Sequence, residues 1–245
     1  MTKKQSLKRN TFFDINHFPP KEGMLVFGIS ISKIGTTQNA KNCFNQIEHF
    51  IKKIILPKVG LTFLYSDNLY LYTSKSASDL KNKHQSLCIS HKFQFQKILE
   101  KEKRYIRDSF SYITWSQALL ESKDFTNYFG RLIKIYEKDK LFNKYVKEDI
   151  KNSKKRVSQN TIMFILEEIL VFYLIAKGKI RIPNVYLKEH EKWVLNCYPG
   201  KPLKSEIYLF QKNFFKLNNK NNIYENAFYD LKDKKLYKYN YIDLK

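Results

Sequence analysis

The chain has 245 residues, enough for one domain with a full core or for two small ones. Its 45 basic and 23 acidic residues leave a net charge of +22, which points to a polyanionic partner such as nucleic acid, although lysine used for solubility gives the same excess. An apolar content of 43%, with 17 Tyr and 19 Phe, excludes a disordered basic protein.

The first apolar run, Met24-Leu25-Val26-Phe27, follows Pro19, Pro20 and Gly23. A wholly apolar run of that kind predicts a buried parallel strand over 24–31. The loop 32–38 carries Lys33, Gly35 and two threonines, and a helix is expected over 39–53. A second strand follows at 61–66, ending at Asp67. A long basic helix is expected over 93–108 and a third strand over 112–115. One helix is read across 124–149. Ser158 is a plausible N-cap for a helix over Gln159–Ala176, ended by Lys177-Gly178. A further strand over 192–198 is broken by Pro199, Gly200 and Pro202. A helix over 205–217 follows, and the tyrosine-rich tail 227–244 is expected to add an edge strand. Apolar runs alternating with helices define an α/β fold with a mostly parallel sheet flanked by helices. The basic segment 1–20 is read as a mobile arm, and 21–245 as a single domain.

Several chemistries are set aside by what the sequence lacks. The longest apolar stretch, 162–176, is short of the ~20 residues that span a bilayer and contains Glu167 and Glu168. No hydrophobic segment follows the basic N-terminus, so no secretory signal is expected. Cys43, Cys88 and Cys197 are three and far apart, which suits a reducing cytoplasm better than a disulfide framework. The five histidines show no ligand spacing, so no metal site is expected. Neither a Gly-x-Gly-x-x-Gly nor a P-loop follows the first strand, so no nucleotide cofactor is expected.

Four constellations remain. Gly28-Ile29-Ser30 ends the first strand, where open α/β sheets bind ligands. Ser30 there is either a nucleophile or a hydroxyl tied to nearby backbone. The helix 159–176 is apolar nearly all round, which marks it as buried. Two adjacent glutamates interrupt it, about 100° apart. One is expected to reach solvent, and the other to face a polar cavity or a cation. Glu168 shares its face with Phe164 and Val171, a setting suited to an α-ammonium group and its side chain; a salt bridge to a lysine is the alternative. Tyr198, before Pro199-Gly200, is either aimed into the same cleft as Ser30 or an ordinary sheet-edge tyrosine. Lys97, Lys101 and Arg104 form a helical stripe able to follow a phosphate backbone, or a solvated face.

Together these segments resemble the tRNA-dependent cyclodipeptide synthases (CDPS). Gly28-Ile29-Ser30 matches that family's glycine-aliphatic-serine, Phe164 to Glu168 its Tyr-x-x-x-Glu, and Cys197-Tyr198 its late tyrosine. Lys33 and Pro199 match the subgroup with a variable residue and a proline at its two distinguishing positions. Phe164 departs from the family's tyrosine, whose hydroxyl helps bind the first amino group; Glu168 alone, Tyr128 or Tyr173 would have to compensate. The resemblance implies a Rossmann-like catalytic domain similar to that of class I tyrosyl- and tryptophanyl-tRNA synthetases, monomeric or weakly dimeric, without cofactor. It implies two aminoacyl-tRNAs as substrates and a cyclodipeptide (diketopiperazine) as product, formed in the cytoplasm. Ser30 would be the nucleophile, Glu168 the ammonium ligand and proton acceptor, and Tyr198 the residue that positions the chain for cyclisation. Val26, Gly28, Lys33, Trp115, Phe164, Val171 and Pro199 would contact substrate, and Lys97, Lys101 and Arg104 would hold tRNA. The alternatives are a non-catalytic RNA-binding protein of the same fold, favoured by Phe164, and a serine hydrolase, for which no histidine motif is present.

Overall fold

The computed structural model describes residues 23–53, 59–67, 69, 77–101, 110–182 and 193–244. The segment 1–20 and Arg104 lie outside them. Strand β1 (Gly23–Ile29) is apolar along its length and buried on both faces, as a central parallel strand must be. It pairs in parallel with β2 (Val59–Tyr65) on one side and β4 (Val194–Tyr198) on the other. Beyond them lie β3 (Phe110–Thr114), parallel to β2, and β5 (Ala227–Asp230), parallel to β4. Strand β6 (Lys235–Lys238) closes the far edge antiparallel to β5. The sheet order is β3-β2-β1-β4-β5-β6. That is the order of a Rossmann-type sheet, in which the winding reverses between β1 and β4 and leaves a crevice at their carboxyl ends.

Period-two alternation divides β1 between two cores. Leu25, Phe27 and Ile29 face one core, with Cys43, Phe44 and Ile47 of α1 (Ala40–Lys53) and Cys88, Phe95 and Leu99 of α2 (Ala77–Lys101). Met24 and Val26 face the other, which is larger and is built from α3 (Trp115–Leu120), α4 (Phe125–Lys138), α5 (Lys140–Asn152), α6 (Gln159–Ala176) and α7 (Lys204–Lys212). Helix α6 is the axis of this second core and is enclosed by α4, α5, α7 and β4. Its length and composition suit a membrane span, but its side chains are packed inside the fold. Ser158 caps it through a reciprocal pair with Thr161.

Several elements differ from expectation for local reasons. Strand β1 ends one peptide before Ser30, and Ile31–Lys33 form a 3-10 turn rather than open loop. Helix α2 spans Ala77–Lys101, so it begins far upstream of the expected start, and its apolar contacts come from Cys88, Phe95 and Leu99. Trp115 is not a strand residue: Thr114 caps α3 through a capping box with Gln117, and Trp115 opens that helix. The single helix expected over 124–149 is two. Asp139 leaves helical geometry and its carboxylate accepts from Leu141 N and Phe142 N, starting α5. Helix α7 stops at Lys212, where Asn213 takes a left-handed conformation, φ 46°. The tail supplies two strands, one interior and one at the edge.

Candidate active site

A cavity of about 190 Å³ opens at the carboxyl ends of β1 and β4, where the winding reverses. Its wall includes Gly28, Ser30, Lys33, Trp115, Phe164, Glu168, Tyr198 and Pro199. The serine, the acid and the phenol singled out in the sequence therefore share one cavity. Val26 and Val171 do not reach it; both are wholly buried in the apolar core. Val26 lies on the same strand face as Gly28 but two residues deeper, beneath the cavity rather than in its wall. Tyr128 and Tyr173 are also elsewhere. Tyr128 packs edge-on against Phe215, and the Tyr173 hydroxyl donates to Asn213 Oδ1 at 2.5 Å. Lys97 and Lys101 lie exposed on α2, against the opposite core from Glu168, and Lys97 Nζ stands 4.4 Å from the centre of the Phe93 ring.

Ser30 is held by neutral hydrogen bonds from three sides. Its N–H donates to Gln38 Oε1 at 2.8 Å, and Gln38 Nε2 returns a bond to Gly28 O at 2.9 Å. Ser66, just past β2, donates from its hydroxyl to Ile29 O and accepts from Ile31 N. The Ser30 and Ser32 hydroxyls share a bond of 3.1 Å. The N–H groups of Ser30, Ile31, Lys33, Ile34 and Thr36 all have internal acceptors and are engaged within the turn. At Gly28 an added Cβ would stand 2.7 Å from Phe172 Cζ, so only glycine lets that ring floor the cavity.

The opposite wall is aromatic and acidic. Trp115, Phe172 and Tyr198 meet in successive edge-to-face contacts at centroid distances of 5.9 and 5.2 Å. Trp115 is pinned twice. Its backbone N–H donates to Asp67 Oδ1 and its indole N–H donates to Glu167 Oε1, both at 2.8 Å. Glu167 is thus buried, not solvent-facing as one of the pair was expected to be: the indole on the neighbouring helix supplies its polar partner. Glu168 is the one that faces the cavity. Burial pushes its carboxyl up to about 7, against the pull of Lys33 and Lys155 and with a small push from Asp149. Lys155 Nζ also lies 4.2 Å from the centre of the Phe164 ring, a cation over the aromatic face beside the acid.

Sequence reasoning missed a further acid. Glu206, in the first turn of α7, lines the cavity and is almost wholly buried. Its Oε1 accepts from the Tyr198 hydroxyl at 2.6 Å and from the Tyr239 hydroxyl at 2.7 Å. Burial raises its carboxyl to about 8, the two phenols oppose that rise, and Glu168 and Asp149 add to it. Tyr198 in turn is held well above the ordinary phenol range by burial and by this carboxyl group. Asp149 seats the start of α7 by accepting from Lys204 N, Ser205 N and the Ser205 hydroxyl. Gln38 and Ser66 were missed as well. Among the described residues no cluster of three or more His, Cys, Asp and Glu could hold a metal.

No family model and no curated protein matches the chain. Solved structures do. A CDPS from Fluoribacter dumoffii superposes with a TM-score of 0.54 at 14% identity, over 77% of this chain and 81% of its own. A CDPS from Staphylococcus haemolyticus gives 0.53 at 14% identity, over 82% and 88%. A cyclodipeptide synthase from Bacillus thermoamylovorans gives 0.52 at 17% identity, over 82% and 86%. At such identities the likeness is one of fold, a mostly parallel α/β sheet flanked by helices.

Proposed function

We propose that this protein is an aminoacyltransferase that joins two aminoacyl groups, taken from aminoacyl-tRNAs, into a cyclodipeptide. The observation that carries the reading is that Ser30, Glu168 and Tyr198, drawn from three distant segments, line one cavity at the carboxyl ends of β1 and β4. The cyclodipeptide synthase fold of the solved structures it resembles supports the same reading, as does the +22 charge.

Ser30 Oγ attacks the ester carbonyl of the first aminoacyl-tRNA. The bond to the terminal ribose oxygen breaks, and the tRNA leaves with the serine proton on its hydroxyl. The ester supplies the driving force, so no nucleotide is consumed. Glu168, ionised, holds the first α-ammonium against the apolar faces of Phe164 and Phe172. The amine of a second aminoacyl-tRNA attacks the acyl-serine carbonyl; a peptide bond forms and Ser30 is released. Ser30 Oγ then attacks the ester carbonyl of the dipeptidyl-tRNA, and the second tRNA leaves with the serine proton on its ribose hydroxyl. The free amine attacks the new serine ester, closes the diketopiperazine ring and releases Ser30 again, with Tyr198 orienting the chain.

Trp115, fixed at both ends by Asp67 and Glu167, narrows the first side-chain pocket and favours a small first residue. Lys33 and Pro199 support membership of the subgroup marked by a variable residue and a proline. Exposed Lys97 and Lys101 contribute to tRNA binding, and the enzyme acts as a cytoplasmic monomer. Mass spectrometry of medium from an expressing bacterial culture tests the reading. A diketopiperazine absent from the Ser30→Ala culture is expected. Identical media would leave the non-catalytic RNA-binding reading, which Phe164 favours, in its place.

A further inference from the structure

We infer that Glu206 is a positioning residue for the acyl-transfer steps that follow loading of Ser30: it accepts the hydrogen bond of the Tyr198 hydroxyl, so that the phenol oxygen faces the cavity as a hydrogen-bond acceptor for a substrate amine. This rests on the reading given under Proposed function and extends it to a residue in α7.

Geometry carries the argument. A carboxyl oxygen that bears no proton can only accept, whereas a phenol can donate one hydrogen bond and still accept others. Both phenols that reach Glu206 do so at the same oxygen, Tyr198 at 2.6 Å and Tyr239 at 2.7 Å. Each hydrogen is thereby committed to Glu206. Tyr198 lines that cavity, and the lone pairs left on its oxygen suit the N–H of an amine rather than a carbonyl oxygen. Without Glu206 the hydroxyl would be free to rotate and to donate to the carbonyl, the wrong partner for orienting an amine.

Glu206 is placed for this by the fold. It sits in the first turn of α7, which carries it into the cavity wall. Asp149 anchors that turn through two backbone N–H groups and the Ser205 hydroxyl. Tyr239 follows β6 and is itself wholly buried, stacked on Phe210 of α7 with ring centroids 3.9 Å apart. The second phenol is therefore held as firmly as the acid. Charged and titratable neighbours are Glu168 across the cavity, Asp149 behind the helix start, and Tyr198 and Tyr239 at the carboxyl group itself.

The test measures cyclodipeptide formed per aminoacyl-Ser30 adduct, with purified full-length protein and an aminoacyl-tRNA pair that gives product with wild type. Glu206→Ala, Glu206→Asp and Tyr198→Phe are each expected to lower this ratio at least tenfold, whereas Glu206→Gln, which keeps an accepting Oε1 at the same reach, is expected to stay within about threefold of wild type. The double variant Tyr198→Phe with Glu206→Ala is expected to be no more than about threefold worse than either single one, because the two residues act as one unit. A merely structural glutamate would lower adduct and product together and leave the ratio unchanged. An unchanged ratio in folded Glu206→Ala or Glu206→Asp overturns the inference, as does a Glu206→Gln loss as large as that of Glu206→Ala, or losses that multiply in the double variant. Should the Glu206→Ala and Glu206→Asp proteins fail to fold, an unchanged ratio in Tyr198→Phe overturns it too. Wild-type protein that forms neither adduct nor product fails the parent reading as well.

Discussion

The two walls of the cavity are built in opposite ways. The Ser30 wall is held by neutral amide and hydroxyl bonds from Gln38, Ser66 and Ser32. The helical wall carries Glu168 and Glu206, whose carboxyls burial raises to about 7 and about 8. The difference separates placement from charge. The backbone around the proposed nucleophile is held by neutral groups, and the proposed ester substrate arrives activated. In the proposed reaction the acids would stand where amines bind and lose protons.

Substitutions at the neutral wall are expected to have the largest effect. Ser30→Ala should reduce cyclodipeptide formation by more than about a thousandfold, with tRNA binding and melting temperature nearly unchanged; product assay and thermal denaturation check this. At the acidic wall, Glu168→Gln should lower product by about a hundredfold and flatten the rise of wild-type rate with pH through the range around 7, since the ammonium ligand must be ionised. A pH–rate profile that keeps its shape in the variant would assign that rise to another group.

Trp115→Phe removes the indole donor to Glu167 while leaving the Asp67 bond to the backbone. It should cost about 1–3 kcal/mol in stability by denaturant unfolding and widen the pocket toward larger first residues.

Stability should also report the acids. Native Glu206 keeps its proton to about 8, whereas an unfolded glutamate loses it near 4.5. The native state therefore binds more protons across that window, and this acid's contribution to stability falls as pH rises through it. Glu206→Gln should weaken the wild-type decline in melting temperature between about pH 5 and about pH 8; an equal decline would mean the carboxyl titrates normally. The smallest change is expected on α2, where Lys97→Glu with Lys101→Glu should make the salt dependence of tRNA binding shallower, by about one unit of slope for each phosphate these lysines neutralise.

Strand β1 and helix α6 were legible because a continuous apolar run has few places to go except a buried strand or an enclosed helix. Ser30, Glu168 and Tyr198 were legible because each interrupts or ends such a run. Glu206 was not: its partners are 8 and 33 residues away, and a glutamate in a helix's first turn looks like an ordinary end-charge. Gln38 was hidden likewise, since its two bonds to the β1 turn depend on how the chain doubles back. Val26 and Val171 were overread because strand and helix periodicity fix a face but not a depth. The split of one expected helix into α4 and α5 depended on Asp139 preferring two backbone donors to helical continuation.

The most direct measurement is intact-protein mass after brief incubation with a single aminoacyl-tRNA. The account predicts a gain of one aminoacyl residue, mapped to Ser30 and absent from Ser30→Ala. Protein of unchanged mass under conditions where the tRNA binds, or an adduct that survives in Ser30→Ala, would contradict it.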